Sequence, residues 1–259
     1  MSLTIKQSQE IQNYLIEKIR GKLATYNPET RQMPFHYRLL GKDRMALFSF
    51  IHSVNTTLGV SIFEQVGKII VEPRAKNAIG QYNHFEGYIS DSAVLTIDKI
   101  MRDLRSTTRK PNKKQETKEV LNASNKGEMG KKIKKRVDLF VQFKDGVEYY
   151  FELKSAKPNI NEFMGIKKQM LDLIAIKGSN NPKTKIKTIV AIPYNPYEPE
   201  PYDRWTLQGL FDLKEEVMVG KEFWDFLGGN DTYKDLLTVF ENAGLELYDE
   251  IDAKMRSLR

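Results

Sequence analysis

Apolar residues recur at helical spacing over much of the first hundred positions. Ile11, Leu15, Ile16, Ile19 and Leu23 mark an amphipathic helix over 3–24, with Gly21 and Pro28 bracketing its end. A loop rich in Tyr, Pro and Arg is expected from Tyr26 to Tyr37. A second helix is predicted over 42–58 from the stripe Met45, Phe48, Ile51 and Val54, and Gly59 is expected to break or cap it. A third, over 61–72, would bury Ile62, Phe63, Val66, Ile69 and Ile70 and stop at Pro73. Phe48 and Phe63 read as core residues. Ser90 or Asp91 is a plausible N-cap for a fourth helix reaching Leu104, apolar at Val94, Ile97, Ile100 and Met101.

The period changes from helical to two between 137 and 155. Val137, Leu139, Val141 and Phe143 alternate with Asp138, Phe140 and Gln142. Tyr149, Phe151 and Leu153 alternate with Tyr150, Glu152 and Lys154. Lys144-Asp145-Gly146 separates the runs, so a β-hairpin is predicted. A helix is expected over 162–176, capped by Asn161, with Phe163, Ile166, Met170, Leu173 and Ile174 on its stripe and Lys167, Lys168 and Gln169 on other faces. The β-branched run 187–192 is a strand. Strand, helix and strand over this distance form a crossover unit. The run 193–205 is rich in Pro and Tyr and should be extended. Two closing helices are expected over 232–241 and 245–258, with Trp205 and Trp224 packing on the core.

Composition narrows the classes. The chain has 259 residues, 40% of them hydrophobic, enough for one large domain. There is no cysteine, which excludes disulfides, thiol nucleophiles and thiolate metal sites. That fits a reducing, cytoplasmic setting, as does an N-terminus without the apolar run of a signal peptide. The formal net charge of +7 favours polyanions, nucleic acid above all. The stretch 105–135 is polar and basic, with a patchy helical pattern over 115–123, and is expected to be mobile without a partner. Its cluster Lys131, Lys132, Lys134, Lys135 and Arg136 runs directly into Asp138.

Alternation places Glu152 and Lys154 on one face of their strand, and pairing of the strands would bring Asp138 to the same side. Two carboxylates supply hard oxygen ligands to Mg²⁺, which also binds phosphate. An adjacent lysine can hold a water or face a phosphate. The group suits metal-assisted phosphodiester hydrolysis, although charges on the outer face of a half-exposed hairpin are also ordinary. Asp138, a Gly-containing turn and Glu152-Leu153-Lys154 resemble the signature of the PD-(D/E)XK nuclease superfamily, over roughly residues 135–195. Val137 stands where that signature has proline. The wider sequence is similar to type II restriction endonucleases, with a weak likeness to the group cutting GGNCC-type sites.

The resemblance implies an α/β fold with a restriction-endonuclease-like core, a small mixed sheet flanked by helices. The core would span 131–195, with a helical N-terminal region (1–130) packed on it and a C-terminal extension (196–259), in one compact domain. It implies a type II site-specific deoxyribonuclease acting on double-stranded DNA, with Asp138, Glu152 and the Leu153 carbonyl holding Mg²⁺ and Lys154 completing the site. It also implies a homodimer, and a cognate DNA methyltransferase as partner. The family's first strand lies either just before Val137 or in the earlier region. Glu64 and Glu86 are candidates for a further acid from the N-terminal half, and each also reads as a solvated glutamate. Glu86 lies in an aromatic, amide-rich segment that reads as a loop. Phosphate or base contacts fall to Arg74, Lys157, Lys168, Gln169, Arg204 and the 131–136 cluster. A nuclease of the same core with another task, or a non-catalytic DNA-binding protein, are the alternatives.

Overall fold

The computed structural model describes residues 2–27, 33–154 and 159–257. Its sheet contains β1 (Ala75–Ser90), β2 (Met129–Phe143), β3 (Glu148–Leu153), β4 (Ile186–Ile192) and β5 (Val217–Val219), adjacent in that order. The first three pair antiparallel, and β3–β4 and β4–β5 are parallel. The predicted hairpin is β2–β3. Its turn closes because Gly146 takes φ +81°, which a side chain would resist, while the Asp145 carboxylate accepts from the Val147 N–H at 2.9 Å.

The helices are α1 (Ile5–Thr25), α2 (Pro34–Leu40), α3 (Lys42–Thr57), α4 (Phe63–Val71), α5 (Asp91–Arg105), α6 (Lys113–Ala123), α7 (Ile160–Asn180), α8 (Trp205–Gln208), α9 (Lys221–Gly228), α10 (Thr232–Glu246) and α11 (Tyr248–Ser257). They cover both faces of the sheet. Phe140, Tyr150 and Val190 face α5, α6 and α7, while Leu139, Val141, Phe151, Leu153 and Ile189 face α1, α4, α9 and α10. The alternation along β2 and β3 is thus the alternation between two cores. Burying side chains such as Phe151 on one face and Phe163 on the other contributes about 1.5–3 kcal/mol each.

Several sequence expectations change. The segment containing Glu86 is not a loop; it belongs to β1, the strand the hairpin needed, and the sheet draws on all three regions of the chain. The tract 105–135 holds α6, where the helical pattern over 115–123 lay, capped by Asn112, and the first half of β2. Gly59 does not end a helix. α3 runs into α4 through a π-helical turn, Leu58–Ile62. Phe48 and Ile51 are not core; they are 63% and 56% exposed, whereas Met45 of the same stripe is buried and Val54 packs against the cluster of Leu23, Tyr26 and Phe50. Trp205 is also exposed, whereas Trp224 is buried and donates from Nε1 to the Pro193 carbonyl at 2.8 Å. The run after Pro193 folds into turns, with the Glu200 N–H bonded to the Tyr197 carbonyl, instead of extending.

α7 starts earlier than predicted, because Asn159 and Glu162 form a reciprocal capping box. Its Lys167, off the apolar stripe, is nonetheless in the interior. It is fully buried, 2.6 Å from Glu116 and hydrogen-bonded to Glu216, while Lys113 reaches Glu216 at 2.9 Å and Thr188 at 2.5 Å. Burial alone would push the Glu216 carboxyl up, but the two ammonium groups hold it below its usual range. This paired network ties α6, α7, β4 and the approach to β5 together.

Candidate active site

β2 and β3 pair from Gln142↔Glu148 to Leu139↔Phe151 and then part. Past the last pair, the Leu153 N–H donates to Oδ2 of Asp138 at 2.8 Å, so a carboxylate takes the place of a backbone carbonyl. Asp138 is thereby fixed at the fork, with Glu152 on the strand opposite. Lys154 follows on the same side and reaches Oε1 of Glu152 at 2.9 Å. The three hairpin residues predicted from alternation do come together. They line one cavity of about 220 Å³ with Gly59, Glu64, Arg136, Leu153 and Gln169.

The other face of the fork is built by α4 and β2. Glu64 is almost wholly buried in α4 and meets the Arg136 guanidinium at 2.7 Å. The same guanidinium lies 3.6 Å from Oδ1 of Asp138. Gln169, on α7, donates to Oε2 of Glu152 at 3.0 Å and to the Arg136 carbonyl at 2.9 Å, which ties the acid to β2. Arg136 and Gln169, expected among the contacts to DNA, thus belong to the acid cluster itself. The sequence carried a signal for Arg136, which stands two positions before Asp138 on a strand of period two. For Gln169 there was none, because its contact depends on how α7 crosses the sheet.

Crowded carboxylates resist ionisation. Burial, then the charge of Asp138, lifts the Glu64 carboxyl to about 7, against the pull of Arg136. Burial, then the same neighbour, raises Glu152, with Lys154 opposing. Burial works against the Lys154 ammonium, but the charge and hydrogen bond of Glu152 outweigh it, and Lys154 is held above its ordinary value. At neutral pH it is a cation.

The remaining candidates lie elsewhere. Glu86 pairs across the sheet with Lys134 and its carboxylate meets Lys132 at 3.3 Å, so of the two glutamates Glu64 lies at the fork and Glu86 does not. Lys135 is bound to the buried Asp172 at 3.1 Å and Lys168 to Asp98 at 3.0 Å. Arg74 caps α9 through the Leu227 carbonyl at 3.1 Å, which is a structural task. Arg204 stands at the head of α8, apart from the residues lining the cavity. Lys134 is exposed on β2. Lys157 and the side chain of Lys131 lie outside the described residues.

Among the described residues, no three acidic or histidine side chains are gathered closely enough to hold a metal ion by themselves. The donor set nevertheless fits a hard divalent ion. Such an ion needs only one or two carboxylates, completing its shell with water and phosphate. Among the described residues, Oε2 of Glu64 is buried without a hydrogen-bond partner, and the raised acids favour a further positive charge.

A mixed sheet between two helical layers, with an acid–acid–lysine group at the fork of its central hairpin, defines a restriction-endonuclease-like core. The family described as "Type II restriction endonuclease, HinfI" matches residues 3–244, and the chain belongs to it. Type II restriction enzyme HgiCII of Herpetosiphon aurantiacus is 28% identical over 236 residues, 90% of this chain and 85% of that protein. HgiEI of the same organism is 26% identical, across 97% and 89% of the two chains. MjaII of Methanocaldococcus jannaschii is 29% identical, across 93% and 71%. The chain is a restriction endonuclease by family, and its substrate is DNA. No helix among the described residues is long and apolar enough to cross a membrane.

Proposed function

We propose that the protein is a type II site-specific deoxyribonuclease that hydrolyses phosphodiester bonds in double-stranded DNA with Mg²⁺, at the fork of β2 and β3. The observation that carries this reading is the convergence of Asp138, Glu152 and Lys154 in one open cavity, with Glu64 as a third acid. Asp138 and Glu152 would hold the ion, with the Leu153 carbonyl. When bound, Mg²⁺ polarises the phosphate and makes its water a better nucleophile. The chain's own residues do the rest. Lys154, a cation 2.9 Å from Glu152, orients the attacking water and offsets charge growing on the phosphate. Gln169 and the Leu153 N–H hold the two acids in place. Arg136 neutralises Glu64 and Asp138 while no other cation is present.

Each chain carries one such fork, so cutting both strands at a symmetric site calls for two copies. A homodimer accords with the exposed Phe35, Leu39, Phe48 and Ile51 of α2 and α3, apolar surface that a lone chain leaves in water. The resemblance points to a GGNCC-type recognition sequence and to a cognate methyltransferase protecting it. Incubation with phage DNA and Mg²⁺, followed by mapping of fragment ends, should give discrete fragments with one shared end sequence. Asp138→Ala and Lys154→Ala should each abolish them while duplex affinity persists. Cutting by either variant at the parent rate would remove the site, and random degradation would favour a nuclease of the same core with another task.

A further inference from the structure

Two glycines flank the acid cluster, and neither is explained by the fold. Gly59 lies in the π turn and lines the cavity with Asp138, Glu152 and Lys154. Gly165 lies in α7, one turn before Gln169, whose side chain holds Glu152. It also stands three residues after Glu162, whose charge reaches Lys154. Positions 162, 165 and 169 form one stripe of α7, so Gly165 belongs to the face turned towards the fork.

A glycine in a helix needs a reason, because it costs about 1 kcal/mol relative to alanine. Positive φ is not the reason, since neither residue adopts it. Close packing is not the reason either. Among the described residues, a Cβ built on Gly59 or on Gly165 meets no atom within 4 Å, whereas one on Gly87 would strike Ile176 at 2.5 Å and one on Gly178 would strike Ser124 at 2.6 Å. The described residues leave the space beside Gly59 and Gly165 open, and at Gly59 it opens on the acids. A π turn also widens a helix locally, and such turns recur at functional sites. The cavity, about 220 Å³, has room for a phosphate group and its water, at ~30 Å³ per water.

We infer that Gly59 and Gly165 are clearance positions: the sugar-phosphate backbone of the cut strand passes over the acids between the π turn and α7, and bare backbone on both sides lets it descend to them. This rests on the proposed nuclease reading and deepens it by naming the path of the strand. Glycine serves where a backbone must approach a ligand closely.

The test compares the parent with Gly59→Ala, Gly59→Leu, Gly165→Leu and, as a control on a distant open helical glycine, Gly244→Leu. Leucine is a good helix former, so the fold should not suffer. Cleavage of a short duplex gives kcat and KM. Duplex affinity is read by fluorescence anisotropy in a Lys154→Ala background, so that nothing is cut. Mn²⁺ affinity is read by electron paramagnetic resonance, and Tm by calorimetry. Gly59→Leu and Gly165→Leu should weaken duplex affinity and raise KM at least tenfold, with Mn²⁺ affinity unchanged and Tm equal to the parent's or higher. Gly59→Ala should lie between them and the parent in duplex affinity, and Gly244→Leu should match the parent in duplex affinity and KM. Parent-like duplex affinity in both leucine variants would overturn the inference. So would a parallel loss of Mn²⁺ affinity or Tm, which would make the glycines structural. Failure of the nuclease reading looks different: the parent would not cut, and Asp138→Ala would bind Mn²⁺ as the parent does.

Discussion

At the scale of single residues, the site is an electrostatic arrangement that is unfavourable without a cation. Glu64 sits with its carboxyl raised to about 7 by burial and by Asp138. A proton on Glu64 or Glu152 competes with any metal ion for the same oxygens. Cleavage should therefore rise as pH increases towards 7 and level above it, by up to about tenfold per unit on the acid side. Glu64→Gln should flatten that limb, which a kcat/KM profile from about pH 5.5 to 8.5 would register. Stability should move the opposite way. A carboxyl whose folded value lies above its unfolded value binds its proton more tightly when folded, so ionisation costs stability as pH rises through that window. Glu64→Gln removes the penalty. Its advantage over the parent in unfolding free energy, measured by urea denaturation, should be absent near pH 4.5 and grow to roughly 1–3 kcal/mol by about pH 8. An advantage that shrinks with pH would mean Arg136 governs Glu64 instead. Lys154 is held charged, so it acts as a cation; Lys154→Arg should retain some activity where Lys154→Met retains none, a difference that single-turnover cleavage measures.

At the scale of elements, the hairpin, the crossover helix and β4 were legible in the sequence, because one local rule decides each: period two, a glycine turn, a capped apolar stripe. The convergence of Asp138, Glu152 and Lys154 was legible for the same reason. What escaped was set by tertiary context. β1 is irregular, with register shifts and positive φ at Gln81, and its aromatic and amide residues read as a loop. Gly59 looked like a helix end because glycine usually is one; the π turn has no such local signature. The burial of Lys167 was not legible, since charge is almost never fully buried unless paired, and its partners Glu116 and Glu216 are distant in sequence. That network gives a sharp expectation. Lys167→Met leaves Glu116 without its ammonium partner and Glu216 with Lys113 alone in a dry interior, and should destabilise the fold by about 3–5 kcal/mol. Urea denaturation would measure it, and a loss below 1 kcal/mol would show that water reaches the network.

At the scale of the whole molecule, the question is how a modestly basic chain holds a duplex. The net charge of +7 is small, and much of the basic run before Asp138 is already engaged. Lys135 is bound to Asp172, Lys132 to Glu86, and Arg136 to Glu64. Counting lysines along the sequence therefore overstates the charge available to phosphates. Each phosphate neutralised releases counterions, and the slope of log affinity against log salt is close to −0.9 per contact. If pairing leaves only part of the cluster for DNA, the slope should be shallower than a contact from every residue of 131–136 would give. Duplex affinity across a salt series in the Lys154→Ala background would report it. Lys134→Ala, on an exposed lysine of β2, should reduce the slope by about 1 and weaken all sequences alike. Lys135→Ala should leave the slope nearly unchanged, because its ammonium answers an acid of this chain. Equal effects from both would mean that DNA draws Lys135 away from Asp172, and that the basic strand rearranges when the duplex arrives.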